Sequence, residues 1–263
     1  MDGGVAILYA MGFKPIEILE LYKNNLKKYS RFNIIDIILA IPNLAFRGGL
    51  KNPKIISKSF KEVSEKNNMY KMSDIKMPVV IPSLDITTRE TVYYSSKPLK
   101  EFTCYTDRLL SEAIKSSSTL PVIYIPNKVI IEKRVHHMMD GGITNNTPVL
   151  PLREFSNFII GIESKYYNTK ARQKIHFFTA FTETFQAMRR SALIHQKKEA
   201  DLWVEVDVKK VKVFDKGNAL EYCEQCGYNA IMDLAKDGKL MEMIDRSNSN
   251  VWSNKKSNSG NSL

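Results

Sequence analysis

Segments of helical and strand-like hydrophobic pattern alternate along most of the chain. Apolar residues that recur every three to four positions predict helices, and short runs of β-branched and aromatic residues predict strands. The predicted helices span 3–11, 15–29, 32–46, 53–66, 106–117, 175–199 and 218–235, and the predicted strands lie near 78–86, 91–95, 158–162 and 202–208. This mixture of helices and buried strands predicts a layered α/β sheet.

Two segments stand apart from this regular pattern. Residues 34–44 are apolar enough to form either part of the core or a lid or lipid-contacting surface, and core burial is the commoner role of such a stripe. From residue 247 onward the chain is rich in Ser, Asn, Gly and Lys and lacks core-forming residues. We therefore predict one domain over 1–246 and a disordered polar tail over 247–263.

The most informative chemical feature is Asp140, which ends the strand-like segment 129–139. Gly141 and Gly142 follow it, and an Asn-Asn-Thr-Pro turn comes next. Glycines tolerate unusual backbone angles and let a neighbouring backbone or substrate approach closely, so the turn could present one carboxylate for proton abstraction. Asp, Gly and Asn also form ordinary surface turns for local reasons, and Asp-Gly-Gly alone does not separate the two interpretations.

The string from Asp140 to Val149 resembles the second catalytic block of patatin-like phospholipases. Three further segments occur in that family's order: 109–121 resembles its helix ending in small residues and a proline, 82–94 its strand, turn and strand, and 5–18 its first helix and the following loop. Together the four blocks are far more specific than any one. The resemblance implies a layered α/β/α fold with a mostly parallel central sheet.

The resemblance also implies acyl transfer by a Ser-Asp dyad, with no cofactor and a phospholipid or other acyl-ester lipid as substrate. Serine is a weak nucleophile until a neighbouring base activates it, and Asp140 would be that base. In the family, the first helix follows a G-x-S-x-G elbow that carries the serine.

No such elbow precedes the first helix here. Counting back from Tyr9 without a gap places the serine one residue before Met1, and a one-residue deletion places it on Met1 itself. We expect an N-terminally incomplete domain that lacks the first strand, the oxyanion loop and the nucleophile, and that is inactive or nearly so. Asp2 lies in a second Met-Asp-Gly-Gly string, but its flanks differ and we assign it no role.

Other nucleophiles and metal ligands receive no catalytic assignment. No glycines flank Ser116, Ser117 and Ser118, which we expect to pack beneath the site. His136 and His137 alternate along a strand, His176 and His195 are isolated, and no metal-binding spacing occurs, so we predict no metal.

Cysteine usage points to a reducing, cytoplasmic compartment. The count of three is odd and no secretory signal is recognisable. Cys223 and Cys226 have the C-x-x-C spacing of a redox pair or half a zinc site, but no second pair completes four ligands. Packing of both as small apolar side chains on a helix is the favoured interpretation.

The formal charge of +11 predicts attraction to polyanions. No nucleic-acid-binding motif accompanies the scattered lysines, so we predict no nucleic acid and favour peripheral contact with an anionic membrane surface. No apolar run reaches the 18 or so residues that span a bilayer. Two functions remain: a lipid acyl hydrolase, or a catalytically silent patatin-like protein that binds lipid or a protein partner.

Overall fold

The computed structural model is a mixed α/β fold, and it describes residues 2–29, 40–165, 177–208 and 218–236, with residue 238, residues 240–242 and residue 245 beyond them. The described helices are α1 Asp2–Ala10, α2 Pro15–Tyr29, α3 Ala40–Arg47, α4 Lys54–Lys66, α5 Leu110–Ser117, α6 Val149–Leu152, α7 Phe177–Glu199 and α8 Asn218–Lys236. The strands are β1 Gly49–Lys51, β2 Val80–Asp85, β3 Glu90–Ser95, β4 Cys104–Tyr105, β5 Val122–Tyr124, β6 Asn127–Ile131, β7 Arg134–Asp140, β8 Ile160–Lys165 and β9 Leu202–Asp207.

The largest sheet in the described part of the chain has five strands in the order β4-β3-β2-β7-β6. Only the β3–β4 pairing is parallel, while β2–β3, β2–β7 and β6–β7 are antiparallel. Two small parallel pairs, β1–β5 and β8–β9, accompany it. The prediction of a mostly parallel central sheet is therefore wrong for the described strands. The strands β2 and β3, and likewise β6 and β7, are joined by short turns. Short turns make neighbouring strands antiparallel, because a parallel pair needs a crossover of a dozen residues or more.

The strand-like segment 129–139 is a hairpin rather than one extended run into the aspartate. β6 and β7 are joined by Glu132 and Lys133, whose φ angles are 48° and 66°. Positive φ at both turn residues is typical of a two-residue type I′ turn, which sequences usually mark with Asn-Gly. Because glutamate and lysine occupy these positions, the sequence carries no recognisable turn signal.

Most long helices and strands agree with the predicted ones to within a few residues. The exception is the helix predicted over 106–117, which begins only at Leu110. The short elements β1, β4, β5 and α6 were not predicted, since two to four residues carry too little periodicity. Residues 32–39, 175–176 and the predicted tail at 247–263 lie outside the described residues.

The main core lies between the N-terminal helices and the five-stranded sheet. It includes Ile7, Leu8, Ile18, Phe60, Ile81, Tyr94, Leu110 and Ile114. A second cluster formed by Val204, Val206 and Val208 of the β9 region packs against α8, and both Cys223 and Cys226 contact it. This contact supports the packing interpretation of the two cysteines. None of the described helices is long and apolar enough to cross a membrane.

Candidate active site

The start of α1 packs unusually closely against its neighbours, and its two glycines make this possible. A Cβ added to Gly3 would lie 2.9 Å from Ile81 Cγ2 and 3.5 Å from Ser117 Oγ. A Cβ on Gly4 would lie 2.3 Å from Tyr22 Oη. The N-terminal turn of α1 is thereby held against β2 and the end of α5.

Asp140 is the last residue of β7 and is fixed on both sides by backbone contacts. It pairs with Ser83 of β2, and its N–H donates to the Thr119 carbonyl at 2.9 Å. Its carboxylate Oδ1 accepts a hydrogen bond from the Gly142 N–H at 2.8 Å, which caps the short 3₁₀ turn that follows the strand. The backbone contacts therefore fix the position of Asp140, and the bond from Gly142 fixes the orientation of its carboxylate.

The glycines after Asp140 are needed for space. A Cβ on Gly141 would lie 2.3 Å from the backbone C and O of Pro82, and one on Gly142 would lie 3.0 Å from Asn146 Oδ1 and from Asp140 Oδ1. Neither glycine has a positive φ. The expected close approach of a neighbouring backbone is confirmed at Gly141, whereas the unusual backbone angles that glycine permits are not used.

Asp140 and the start of α1 converge on the same stretch of β2. Gly3 contacts Ile81, and Asp140 pairs with Ser83 two residues further along the strand. Two residues of a β-strand span about 7 Å. The first turn of α1 and the end of β7 therefore contact positions about 7 Å apart on one strand.

The Asn-rich turn after the glycines is tied to β3. Asn145 Nδ2 donates to Tyr93 Oη at 2.9 Å, and the Thr91 hydroxyl donates to Thr144 Oγ1 at 2.7 Å. Burial raises the pKa of Tyr93, and the hydrogen bond from Asn145 only partly opposes this, so the phenol is a neutral partner. These bonds hold the turn against the sheet and so limit the movement of Asp140.

The serines at the end of α5 are buried, as the sequence predicts. Ser116 accepts a hydrogen bond from Asn127 Nδ2 at 2.9 Å and shares another with the Tyr94 hydroxyl at 3.0 Å. Both partners are buried as well, and burial raises the pKa of Tyr94 strongly. Ser116 therefore belongs to a buried polar network with Tyr94 and Asn127 inside the fold.

The His136 imidazole pairs with a carboxylate that the sequence analysis did not single out. His136 Nδ1 lies 2.5 Å from Asp85 Oδ2, and Asp85 is 1% exposed. Burial alone would raise the pKa of Asp85, but hydrogen bonds from His136 and from the Thr87 N–H outweigh it, so the pKa lies below its ordinary value. His137 instead faces Thr87, whose Oγ1 lies 3.4 Å from its Nδ1.

The two other histidines named in the sequence analysis do not form part of a metal-binding group among the described residues. Exposed His195 lies on α7, and His176 falls outside the described residues. Within the part of the chain that the structure describes, no group of three or more His, Cys, Asp or Glu side chains could hold a metal ion. The Asp85–His136 pair was missed because its two members are far apart in sequence and meet only across adjacent strands.

A family model described as "Patatin-like phospholipase" matches residues 3–153, which is more than half of the 263-residue chain. The matched segment begins at the glycine that packs against β2 and extends past the Asp140 turn to the residue after α6. No curated protein matches the chain.

Proposed function

The chain belongs to the patatin-like phospholipase family, and from that membership we propose that it forms the aspartate half of a lipid acyl hydrolase site, with Asp140 as the general base. The observation that supports this role most is the convergence on β2 of the Asp140 turn and the N-terminus of α1. A nucleophile at the start of α1 would face the same segment of β2, residues 81–83, as its base.

The proposed reaction is ester hydrolysis through an acyl-enzyme. The serine hydroxyl attacks the ester carbonyl while Asp140 takes its proton, and the proton then passes to the leaving alcohol. In the second half, Asp140 removes a proton from the attacking water and passes it to the serine oxygen as the acyl–serine bond breaks, which releases the fatty acid and restores the serine hydroxyl. The contacts of Asp140 with Thr119 and Gly142 would hold the base in place throughout both steps.

The nucleophile itself is proposed to lie outside the 263 residues. No Gly-x-Ser-x-Gly string occurs in the chain, and the best placed serines, 116 to 118, are buried in the fold. We propose that the chain as printed releases little or no fatty acid, since removal of a catalytic nucleophile leaves only weak residual rate enhancement.

The proposed substrate is a phospholipid or another acyl-ester lipid, reached by peripheral contact with an anionic membrane surface in the cytoplasm. The formal charge of +11 supports this contact, because it attracts the protein to anionic headgroups. The proposed chemistry requires neither a cofactor nor a nucleic acid.

Release of fatty acid from a short-chain ester tests this function. We compare the 263-residue chain with an N-terminally extended chain in which a strand and a Gly-x-Ser-x-Gly elbow lead into α1. Activity in the extended chain alone supports the proposal. An extended, folded chain that binds lipid without cleaving it supports the alternative of a catalytically silent lipid-binding protein. Turnover by the printed chain would refute the claim that its nucleophile is absent.

A further inference from the structure

Helix α3 exposes apolar side chains and buries a polar one, which is the reverse of an ordinary surface helix. Its buried residue is the polar Asn43, which is 8% exposed, whereas Ile41 is 80% exposed and Phe46 is 89% exposed. A surface helix normally directs its apolar side chains to the core and its polar ones to water. The arrangement of α3 therefore implies a partner other than water.

The exposed apolar residues of α3 form one continuous face. At 100° per residue, the five side chains cover an arc of about 200° that contains no polar residue. This α3 apolar face consists of Ile41, Pro42, Leu44, Ala45 and Phe46, all of which are exposed. Single exposed apolar residues are common, but a contiguous group marks an interaction surface.

Asn43 fixes the helix in this orientation. Its Nδ2 donates to the Leu50 carbonyl at 3.3 Å, and its Oδ1 accepts a hydrogen bond from Arg47 Nη1 at 3.3 Å. The bond to Leu50 ties the polar side of α3 to β1, and the bond from Arg47 holds the Asn43 amide within the helix. Rotation of the apolar face toward the core would break the bond to Leu50 and leave its buried partners unsatisfied.

The chain segment that contains α3 and the first part of α4 carries only positive charge. Residues 40–61 contain five lysines and arginines and no aspartate or glutamate. Of these, Arg47, Lys54, Lys58 and Lys61 are exposed. An apolar helix face within a basic segment has the composition that binds at the headgroup level of an anionic membrane.

Helix α3 is connected to the Asp140 site through two paired strands. β1 follows α3 directly and pairs with β5, with Gly49 opposite Val122. Three residues before Val122 lies Thr119, whose carbonyl accepts the Asp140 N–H. A short run of paired backbone therefore joins α3 to the carboxylate proposed to act on lipid.

We propose that the α3 apolar face inserts into the headgroup region of an anionic phospholipid bilayer. This inference rests on the proposed function and adds to it the surface that meets the substrate membrane. A second copy of the chain is a poorer occupant, because face-to-face pairing would bring the same cations of both copies together. Anionic lipid instead supplies the opposite charge and an apolar layer.

Flotation with vesicles of phosphatidylcholine and phosphatidylserine tests the proposal. The Ile41→Ser/Phe46→Ser variant is expected to bind at least about tenfold more weakly than the unchanged chain, since two large side chains no longer enter the apolar layer. The matched control is Ile130→Ser/Met188→Ser, which removes side chains that are 67% and 51% exposed elsewhere. It should bind like the unchanged chain.

The charge contribution is tested separately with Lys54→Gln/Lys58→Gln. Each lysine near an anionic surface contributes about fivefold to binding, so we expect about a 30-fold loss on anionic vesicles and little change on pure phosphatidylcholine. In the same assay Phe46→Trp should show a blue-shifted fluorescence component on binding, above the background of Trp203 and Trp252. Equal circular dichroism spectra establish that the variants are folded.

These readouts do not depend on catalysis, so the Asp140→Asn chain should float like the unchanged one. If the N-terminally extended chain releases no fatty acid while flotation is intact, only the proposed function is contradicted. The membrane proposal is overturned if the unchanged chain ignores anionic vesicles, or if Ile41→Ser/Phe46→Ser binds them equally well. It is also overturned if that variant abolishes a dimer seen by sedimentation while its vesicle binding is unchanged.

Discussion

At Gly141 the chain passes so close to β2 that a side chain would collide with the Pro82 backbone. Pro82 belongs to β2, which pairs with both β3 and β7, so its backbone has little freedom to move away from Gly141. The small residue is therefore required by the approach of β7 and its turn to β2. The same approach determines the position of Asp140.

Gly141→Ala should lower the free energy of unfolding by about 2–3 kcal/mol, because the added methyl group forces strained packing. Chemical denaturation of the two chains measures the difference. Gly227→Ala is the control: a Cβ there meets nothing within 4 Å on helix α8, so alanine should raise stability by about 0.5–1 kcal/mol. Equal stability of Gly141→Ala and the unchanged chain would contradict the crowding at Gly141.

The buried Asp85 carboxylate should make stability depend on acid. Its pKa lies below the ordinary value of 3.8 in the folded protein, so the hydrogen bonds that the carboxylate accepts from His136 and from the Thr87 N–H stabilise the fold fully above that value. The stabilisation is lost as the pH falls through the lower, folded pKa.

Asp85→Asn should therefore reduce stability at neutral pH by about 2 kcal/mol, the range for hydrogen bonds to charged groups. The difference from the unchanged chain should shrink as the pH drops below about 4. Denaturation curves at several pH values measure it, with exposed Glu62→Gln as the control. A difference that stays constant with pH would show that the Asp85 charge is not involved.

At the scale of elements, the sequence predicted what depends on long periodic patterns and missed what depends on pairing between distant segments. Helix α2 has the predicted bounds, and the predicted strand near 202–208 is β9. The β6–β7 hairpin was missed because Glu132 and Lys133 adopt turn angles that their side chains do not favour. Because a short turn between two strands makes them antiparallel, missing such a turn also made the predicted direction of the strands wrong.

The burial of α3 was also mispredicted in its described part. An apolar stripe usually faces the core, yet Ile41 and Phe46 face solvent because Asn43 is the residue bonded to β1. Hydrophobic pattern alone contains no information about which side of a short helix the next strand contacts. The Asp140 turn was found because its glycines and asparagines are adjacent in sequence, while its neighbours Gly3 and Thr119 come from other elements.

The hairpin turn offers a direct test at this scale. Glu132→Asn/Lys133→Gly should raise the free energy of unfolding by roughly 0.5–1 kcal/mol, since both residues have positive φ and Asn-Gly favours these angles. Lys133→Val should have the opposite effect, because a β-branched residue is strained there. Thermal unfolding compares the three chains, and stabilisation by valine would contradict the turn geometry.

At the scale of the whole molecule, the family, the net charge and the α3 apolar face all support a protein that acts on membrane lipid. The family match covers most of α1 and the Asp140 turn, the net charge is +11, and helix α3, which carries the apolar face, leads into the strand pair β1–β5. Each of the three has a distinct role in the proposal: the first gives the chemistry, the second the attraction to anionic membranes, and the third the point of insertion. The proposed hydrolysis of membrane lipid therefore depends most on Asp140 acting as the catalytic base.

The rate of fatty-acid release by the N-terminally extended chain, measured with and without Asp140→Asn, tests that role most directly. Asparagine keeps the shape of the side chain and its capping oxygen but cannot take a proton, so we predict a fall of at least about 100-fold with an unchanged fold. An extended Asp140→Asn chain that hydrolyses the ester at the original rate would contradict the assignment of Asp140 as the base.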